Sequence, residues 1–299
     1  MRDALELAGV HMAMSLAAAL PLPVALRVGR GLGRIAEGLG VRRAVALENV
    51  GRAFGAELDD RERRVLVRQS YAHLGMSLVE FLRMPRLSPD WLRDQMDLDG
   101  ERHLQEALDG GRGAIVASGH LGNWEWMGAC LAARGYPMTF VVQRLRNTRV
   151  DSLVERVRRG TGIEVVPHGM ALRRVHAALA ANRLVFFMCD QDARRRGVFV
   201  PFFGVPASTP KGAAQIAVRH RVPFVAAFGR RGPEGRHHVV VHAPITAQAT
   251  DESQAVLELL AAFNARLEAA VRATPDQYWW AHRRWKTRPP AAAPVEVAG

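Results

Sequence analysis

From Gly113 onward the sequence is punctuated by short apolar runs, at 113–118, 138–142, 163–166, 184–189, 223–228 and 238–243. Runs of this length, with no polar alternation, suit strands buried on both faces. Between them lie segments with helical character at about 122–134, 149–160, 170–181 and 210–220, and a longer one follows at about 251–273. Strand alternating with helix is the pattern of an open α/β sheet flanked by helices. Such a sheet presents its ligands to loops at the carboxyl ends of its strands.

The amino-terminal third has a different texture. Leu66, Ser70, His73, Leu74, Ser77 and Phe81 recur near helical spacing after a polar start at Asp59 and Asp60, so residues 43–82 are expected to form a helical pair. Leu7 to Leu26 contains no Asp, Glu, Lys or Arg, and about 20 such residues suffice to cross a bilayer. Pro21 and Pro23 interrupt the stretch, which leaves insertion in the interface or a short core helix as alternatives. A cleaved signal peptide is disfavoured because Arg27, Arg30, Arg34, Arg42 and Arg43 lie downstream of the apolar stretch rather than before it. The same asymmetry puts the bulk of the chain on the cytoplasmic side. The expected organisation is a membrane-associated segment over 1–26, one domain over 27–288 and a flexible tail over 289–299, where Pro and Ala dominate.

Charge narrows the partners without choosing among them. Lys and Arg total 41 against 29 Asp and Glu, a formal net charge of +12, which favours nucleic acid, anionic lipid headgroups or an acidic carrier protein. Cys130 and Cys189 each sit in an apolar stretch and read as small buried hydrophobes rather than a disulfide or metal pair.

The sharpest local feature is Ser-Gly-His-Leu-Gly-Asn-Trp-Glu at 118–125, directly after one strand-like run and before a helical segment. It puts His120 at the carboxyl end of a strand. If the loop turns at Gly122, the Glu125 carboxylate can fold back onto one imidazole nitrogen and leave the other facing substrate. A neutral imidazole so held accepts a proton from an alcohol, while the carboxylate fixes its tautomer and stabilises the imidazolium. The competing reading of the same spacing is a His near a helix start and a Glu on its surface.

This strand-to-helix stretch with H-x-x-x-x-E resembles the lipid A biosynthesis late acyltransferases, bacterial relatives of the glycerolipid acyltransferases. Two more blocks are similar: 190–210, from Asp190-Gln-Asp192 through Phe202-Phe203-Gly204 to Thr209-Pro210, and 276–289, DQYWWAHRRWKTRP. Asn49 in an L-E-N-V context and Glu80 extend the likeness upstream. The resemblance implies a glycerolipid-acyltransferase-like sheet with a membrane-associated helical amino terminus. It also implies acyl transfer from acyl carrier protein or acyl-CoA to a hydroxyl of a lipid A precursor at the cytoplasmic face of the bacterial inner membrane. His120 and Glu125 would be the catalytic pair, with no cofactor, no metal and no nucleic acid involved.

Binding residues follow from the matching blocks. Asn123 belongs to the motif itself, and Asp190 and Asp192 are expected to organise the site through arginine contacts. Arg144 matches a family arginine, either an oxyanion or phosphate ligand or a solvated surface residue. Ser208 and Thr209 are either part of the site or caps of the helix after Pro210. Phe199, Phe202 and Phe203 read as packing. The indoles and cations of Trp279, Trp280, His282, Arg283, Arg284, Trp285, Lys286 and Arg288 suit interfacial anchors, stacking surfaces or helix decoration. His73, His103, His168, His176, His220, His237, His238 and His242 lack a partner at chemical spacing and read as structural or solvated. Two rivals stand beside the main reading: acylation of another membrane glycolipid such as a phosphatidylinositol mannoside, and a non-enzymatic basic module binding membrane or nucleic acid.

Overall fold

The computed structural model describes residues 2–168, 171–232 and 235–290. Four helices come first: α1 (Arg2–Ala19), α2 (Leu22–Gly38), α3 (Arg43–Phe54) and α4 (Asp60–Arg83). The last starts where the polar residues announced it. Asp59 accepts from the Arg61 and Glu62 amides while Glu62 reaches back to the Asp59 amide, a reciprocal cap that satisfies donors the helix leaves open. Helices α2 and α4 approach closely at Gly29, Gly33 and Gly75, where an added methyl would meet the partner backbone.

After the short α5 (Pro89–Asp94), strand β1 (Met96–Asp99) and helix α6 (Glu101–Asp109), strand and helix alternate: β2 (Ala114–Ser118), α7 (Trp124–Ala133), β3 (Met138–Val142), α8 (Thr148–Gly160), β4 (Glu164–Pro167), α9 (Ala171–Ala180) and β5 (Leu184–Met188). A hairpin, β6 (Val198–Phe202) with β7 (Val205–Thr209), precedes α10 (Gly212–His220), β8 (Phe224–Arg231), β9 (His237–Val241) and α11 (Glu252–Ala273). Among the described residues the main sheet has the order β1-β9-β8-β2-β5-β3-β4, all parallel except where β9 runs against β8. The α/β reading and the six expected strands are therefore present, whereas β1 and the hairpin had no clear signal.

Side-chain alternation explains why the central runs are wholly apolar. On β2, Ile115 and Ala117 face one layer with Phe263 and Leu267 of α11, and Ala114 and Val116 face the other with Trp126 and Met127 of α7. Both faces of the strand are covered, so neither tolerates polar residues.

Two expectations need correction. The apolar stretch 7–26 is broken where its prolines fall: α1 ends at Ala19, α2 begins at Leu22, and Pro21 sits between them. Among the described residues no helix is long and apolar enough to cross a membrane, and residue 26 lies inside α2 rather than at a boundary. The carboxyl-terminal run is a surface only in part, with Arg283, Lys286 and Arg288 exposed. Trp280, Trp285 and Arg284 are buried, with Arg284 donating to the Ser208 carbonyl and to Thr209 Oγ1, both at 2.7 Å. Core packing, not anchoring, consumes these indoles. Of the tail, residues 291–299 lie outside the described residues.

Candidate active site

His120 leaves the carboxyl end of β2 in a loop fixed from several sides. Gly122 has φ +61°, the left-handed region open to glycine, and its Cα lies so close to the β8 backbone at Gly229 that a side chain would collide. The carboxyl-terminal segment clamps the same loop: Trp279 N–H donates to the His120 carbonyl at 2.9 Å and Gly122 N–H to the Gln277 carbonyl at 3.0 Å. Asn123 caps α7 by accepting from the Trp126 amide at 3.1 Å, and its amide donates to Glu80 at 2.7 Å. Glu80 is itself buried, gripped by both terminal nitrogens of Arg231 and by His237 Nε2. Burial alone would push its carboxyl up, but His237 and Arg231 outweigh that and hold it at about 2.

The imidazole is oriented by Asp190, not by Glu125. Asp190 Oδ1 lies 2.7 Å from His120 Nδ1, and Oδ2 accepts the His120 backbone N–H at 2.7 Å. Asp190 is fully enclosed. Its carboxyl is nevertheless held down at about 2, because the charge and N–H groups of His120, helped by Arg284, outweigh the desolvation that pushes it up. An ionised Asp190 fixes the proton on Nδ1 and leaves Nε2 as an acceptor. The Gln191 amide nitrogen stands 3.3 Å from Nε2. Trp124 and Trp279 flank the ring, with centroids 4.5 and 5.0 Å away.

Glu125 points elsewhere, and this corrects the expected His120–Glu125 contact. Its carboxylate makes a two-pronged pair with Arg158 of α8, at 2.9 and 2.6 Å. The reason is geometric: α7 begins at Trp124, so Glu125 projects from the first turn toward α8, whose arginine offers a planar fork. Asp190 instead comes from the end of β5, which pairs with β2 so that Ser118 lies opposite Met188. Two residues beyond that register, His120 and Asp190 meet across adjacent parallel strands.

Nε2 faces a cavity of about 600 Å³ whose lining includes His120, Glu125, Arg158, Gln191, Asp192 and Lys211 together with Phe140, Val142, Phe186 and Met188. Its lining combines these charged and polar groups with apolar side chains. A second groove of about 530 Å³ between α9 and α10 shares Gly212 and Gln215 with it.

The other expected site residues scatter. Asp192 lines the cavity, but its carboxylate accepts from the Thr287 hydroxyl at 3.0 Å and its amide donates to His282 Nε2 at 3.0 Å. Burial holds His282 neutral, as that acceptor role requires. Arg144 is exposed in the loop after β3 and does not line the cavity, although Gln143 does. Ser208 and Thr209 end β7 and are buried away from it. Ser208 donates to the Arg194 carbonyl and Thr209 to the Ala207 carbonyl, so neither caps α10, which has no side-chain cap. Sequence reading missed Arg158, Gln191, Trp124 and Arg231. It also set aside His237 and His73, whose partners Glu80 and Asp276 come from distant segments. The likeness around Glu80 was the one signal for this buried network.

A histidine base oriented by a buried carboxylate, opening on a cavity with apolar side chains, is equipped to activate a hydroxyl beside a fatty chain. The comparisons agree with that chemistry. The model of the bacterial lipid A biosynthesis acyltransferases matches residues 2–287. The chain is similar to the lipid A biosynthesis lauroyltransferase of Escherichia coli, at 29% identity over 90% of this chain and 88% of that protein. It is similar to the palmitoleoyltransferase of the same organism at 28%, over 90% and 87%. A phosphatidylinositol mannoside acyltransferase of Mycolicibacterium smegmatis is 34% identical over 51% of this chain, an alignment that spans about half of that protein, 52%. On this match across nearly its whole length, the chain belongs to the bacterial lipid A biosynthesis acyltransferase family.

Proposed function

We propose that the protein transfers a fatty acyl group from a thioester, carried by acyl carrier protein or coenzyme A, to a hydroxyl of a lipid A precursor at the cytoplasmic face of the inner membrane. The observation that carries this reading is the Asp190–His120 pair, with Nε2 turned to the apolar cavity. Nε2 takes the hydroxyl proton as the oxygen attacks the thioester carbonyl. The tetrahedral intermediate collapses with loss of the C–S bond, and the leaving thiolate takes the proton back from the imidazolium. Asp190 stays ionised throughout and stabilises the charged ring. When the acceptor hydroxyl displaces the Gln191 amide from Nε2, that N–H is free to stabilise the oxyanion.

Membrane association is part of the proposal, with the amino-terminal helices lying in the interface instead of spanning it. Val24, Val28, Leu32 and Ile35 recur along one exposed side of α2, with the exposed Leu39 just past its end, accompanied by Arg27, Arg30 and Arg34, a pattern suited to an anionic bilayer surface. A phosphatidylinositol mannoside is the second reading of the acceptor, supported by the 34% likeness to the mycobacterial enzyme.

Mass spectrometry of lipids from a deletion strain tests the assignment. Loss of one acyl chain from lipid A supports the first acceptor, and loss from a mannoside the second. Complementation with His120→Ala should fail, because losing a general base lowers the rate by roughly 10²–10⁴-fold. An unaltered lipid profile in the deletion strain would overturn both readings.

A further inference from the structure

Between β5 and β6 the chain passes Asp190, Gln191 and Asp192, then closes in a single 3₁₀ turn of three consecutive arginines, Arg194, Arg195 and Arg196. All three side chains are exposed. Among the described residues, no carboxylate lies within salt-bridge distance of any of them, whereas Arg158, Arg183, Arg231 and Arg272 elsewhere in the fold each have one. Adjacent like charges with no counter-charge do nothing for folding, and their mutual repulsion opposes it.

The backbone is built to hold them. Arg194 has φ +56°, a left-handed conformation that costs a side-chain-bearing residue roughly 1–2 kcal/mol. The turn persists because its surroundings fix it. The buried Ser208 hydroxyl donates to the Arg194 carbonyl at 2.6 Å, and the Ala193 amide donates to the Ser208 carbonyl at 3.3 Å. Gly197 follows with no room for a Cβ, which would come within 2.8 Å of both Ala193 Cβ and the Thr209 carbonyl. Arg284, itself buried, pins Ser208 and Thr209 from below. Strain maintained by a buried hydrogen-bonded support is what a binding element looks like.

Position identifies the ligand. Arg196 lines the catalytic cavity, as do Lys211 at the start of α10 and Ala193. An anion bound here lies in the same cavity as His120. Resting on the acyl-transfer reading above, we propose that Arg194, Arg195, Arg196 and Lys211 bind the phosphate of the donor's pantetheine arm. This class of thioester carries its acyl group at one end of a flexible uncharged arm and a phosphate at the other, so the cations and the apolar side chains of this one cavity match its two ends. Carrier protein and coenzyme A share that phosphate, and the site accepts either.

The test uses the full-length protein with three donors of equal acyl length: acyl-CoA, acyl carrier protein and the phosphate-free S-acyl-N-acetylcysteamine. In the triple variant Arg194→Ala, Arg195→Ala, Arg196→Ala, the KM for both phosphate-bearing donors should rise at least roughly tenfold, the effect of losing one charge-assisted hydrogen bond. Changes in kcat should be smaller, the preference for acyl-CoA over the phosphate-free thioester should collapse, and the salt dependence of KM should flatten. An equal rise in KM for the phosphate-free donor, or a rise confined to the lipid acceptor, would overturn the proposal, as would unchanged kinetics. Binding of 4′-phosphopantetheine alone, measured by calorimetry, keeps the two levels separate. Binding to the parent that disappears in the triple variant supports the site even if the parent acylates no hydroxyl, an outcome that would sink only the acyl-transfer reading.

Discussion

Asp190→Asn against Glu125→Gln separates the two carboxylates that compete for the role of His120's partner. In the parent, Asp190 accepts twice, from His120 Nδ1 at 2.7 Å and from the His120 backbone N–H at 2.7 Å. An asparagine offers one acceptor and one donor. With its oxygen toward Nδ1, its NH₂ faces the backbone N–H and leaves two buried donors opposed, which costs about 1–3 kcal/mol. With its nitrogen toward Nδ1, the imidazole must carry its proton on Nε2, and the base facing the cavity is lost. Either way the negative charge that stabilises the imidazolium has gone. Together these put the loss at roughly 10²–10⁴-fold in kcat, or about 3–5 kcal/mol at 1.36 kcal/mol per decade. Glu125→Gln keeps its length and one of its contacts to Arg158, at a pair with no atom on the imidazole, so a loss of at most roughly tenfold is expected. Thiol release from a defined acyl-CoA with lipid acceptor present gives the rates, and circular dichroism shows whether each variant is folded. If folded Asp190→Asn kept activity within tenfold of the parent while Glu125→Gln lost several hundredfold, the hydrogen-bonded partner seen here would not be the functional one.

Acid should weaken the fold in a defined window. Glu80 and Asp190 are held at about 2, below ordinary values of 4.5 and 3.8. Depressed pKa values contribute stability that is complete above the ordinary values and lost as pH falls through the folded ones. At roughly 1.4 kcal/mol per pH unit, the shifts amount to about 3.5 kcal/mol for Glu80 and about 2.5 kcal/mol for Asp190. The stability carried by these two carboxylates should therefore be lost between about pH 4.5 and 2, after an earlier decline below about pH 6.5 as the half-buried His282 is forced to charge, and urea midpoints that stay flat between 4.5 and 2 would refute the assignment. At the membrane, Leu32→Asp with Ile35→Asp should cut binding to anionic vesicles by at least tenfold, since burying each side chain is worth about 1.5–3 kcal/mol. Both positions are more than half exposed, at 55% and 58%, so the fold should be untouched, and unchanged vesicle binding would locate the membrane contact elsewhere.

The central strands and the position of His120 were legible in the sequence because both depend on local pattern. A run such as 114–118 is apolar throughout only when both faces of the strand are covered, and a loop directly after it falls at the carboxyl edge. The Asp59 start of α4 was readable for the same reason, since a cap needs only residues three apart. The partner of His120 was not. Glu125 is five residues away and Asp190 is seventy, but strand order sets which carboxylate arrives, and β5 docking in parallel beside β2 is a long-range event with no local trace. Composition misled in the same way at both ends of the chain. Leu7–Leu26 was apolar enough to suggest a span, although its prolines already marked the break that the chain makes at Pro21. The tryptophans and arginines of 279–288 suggested a surface, yet Trp280, Trp285 and Arg284 are buried where hairpin and helices close over them. Residue type records what a side chain can do, and the tertiary arrangement of strands decides which neighbour it does it with.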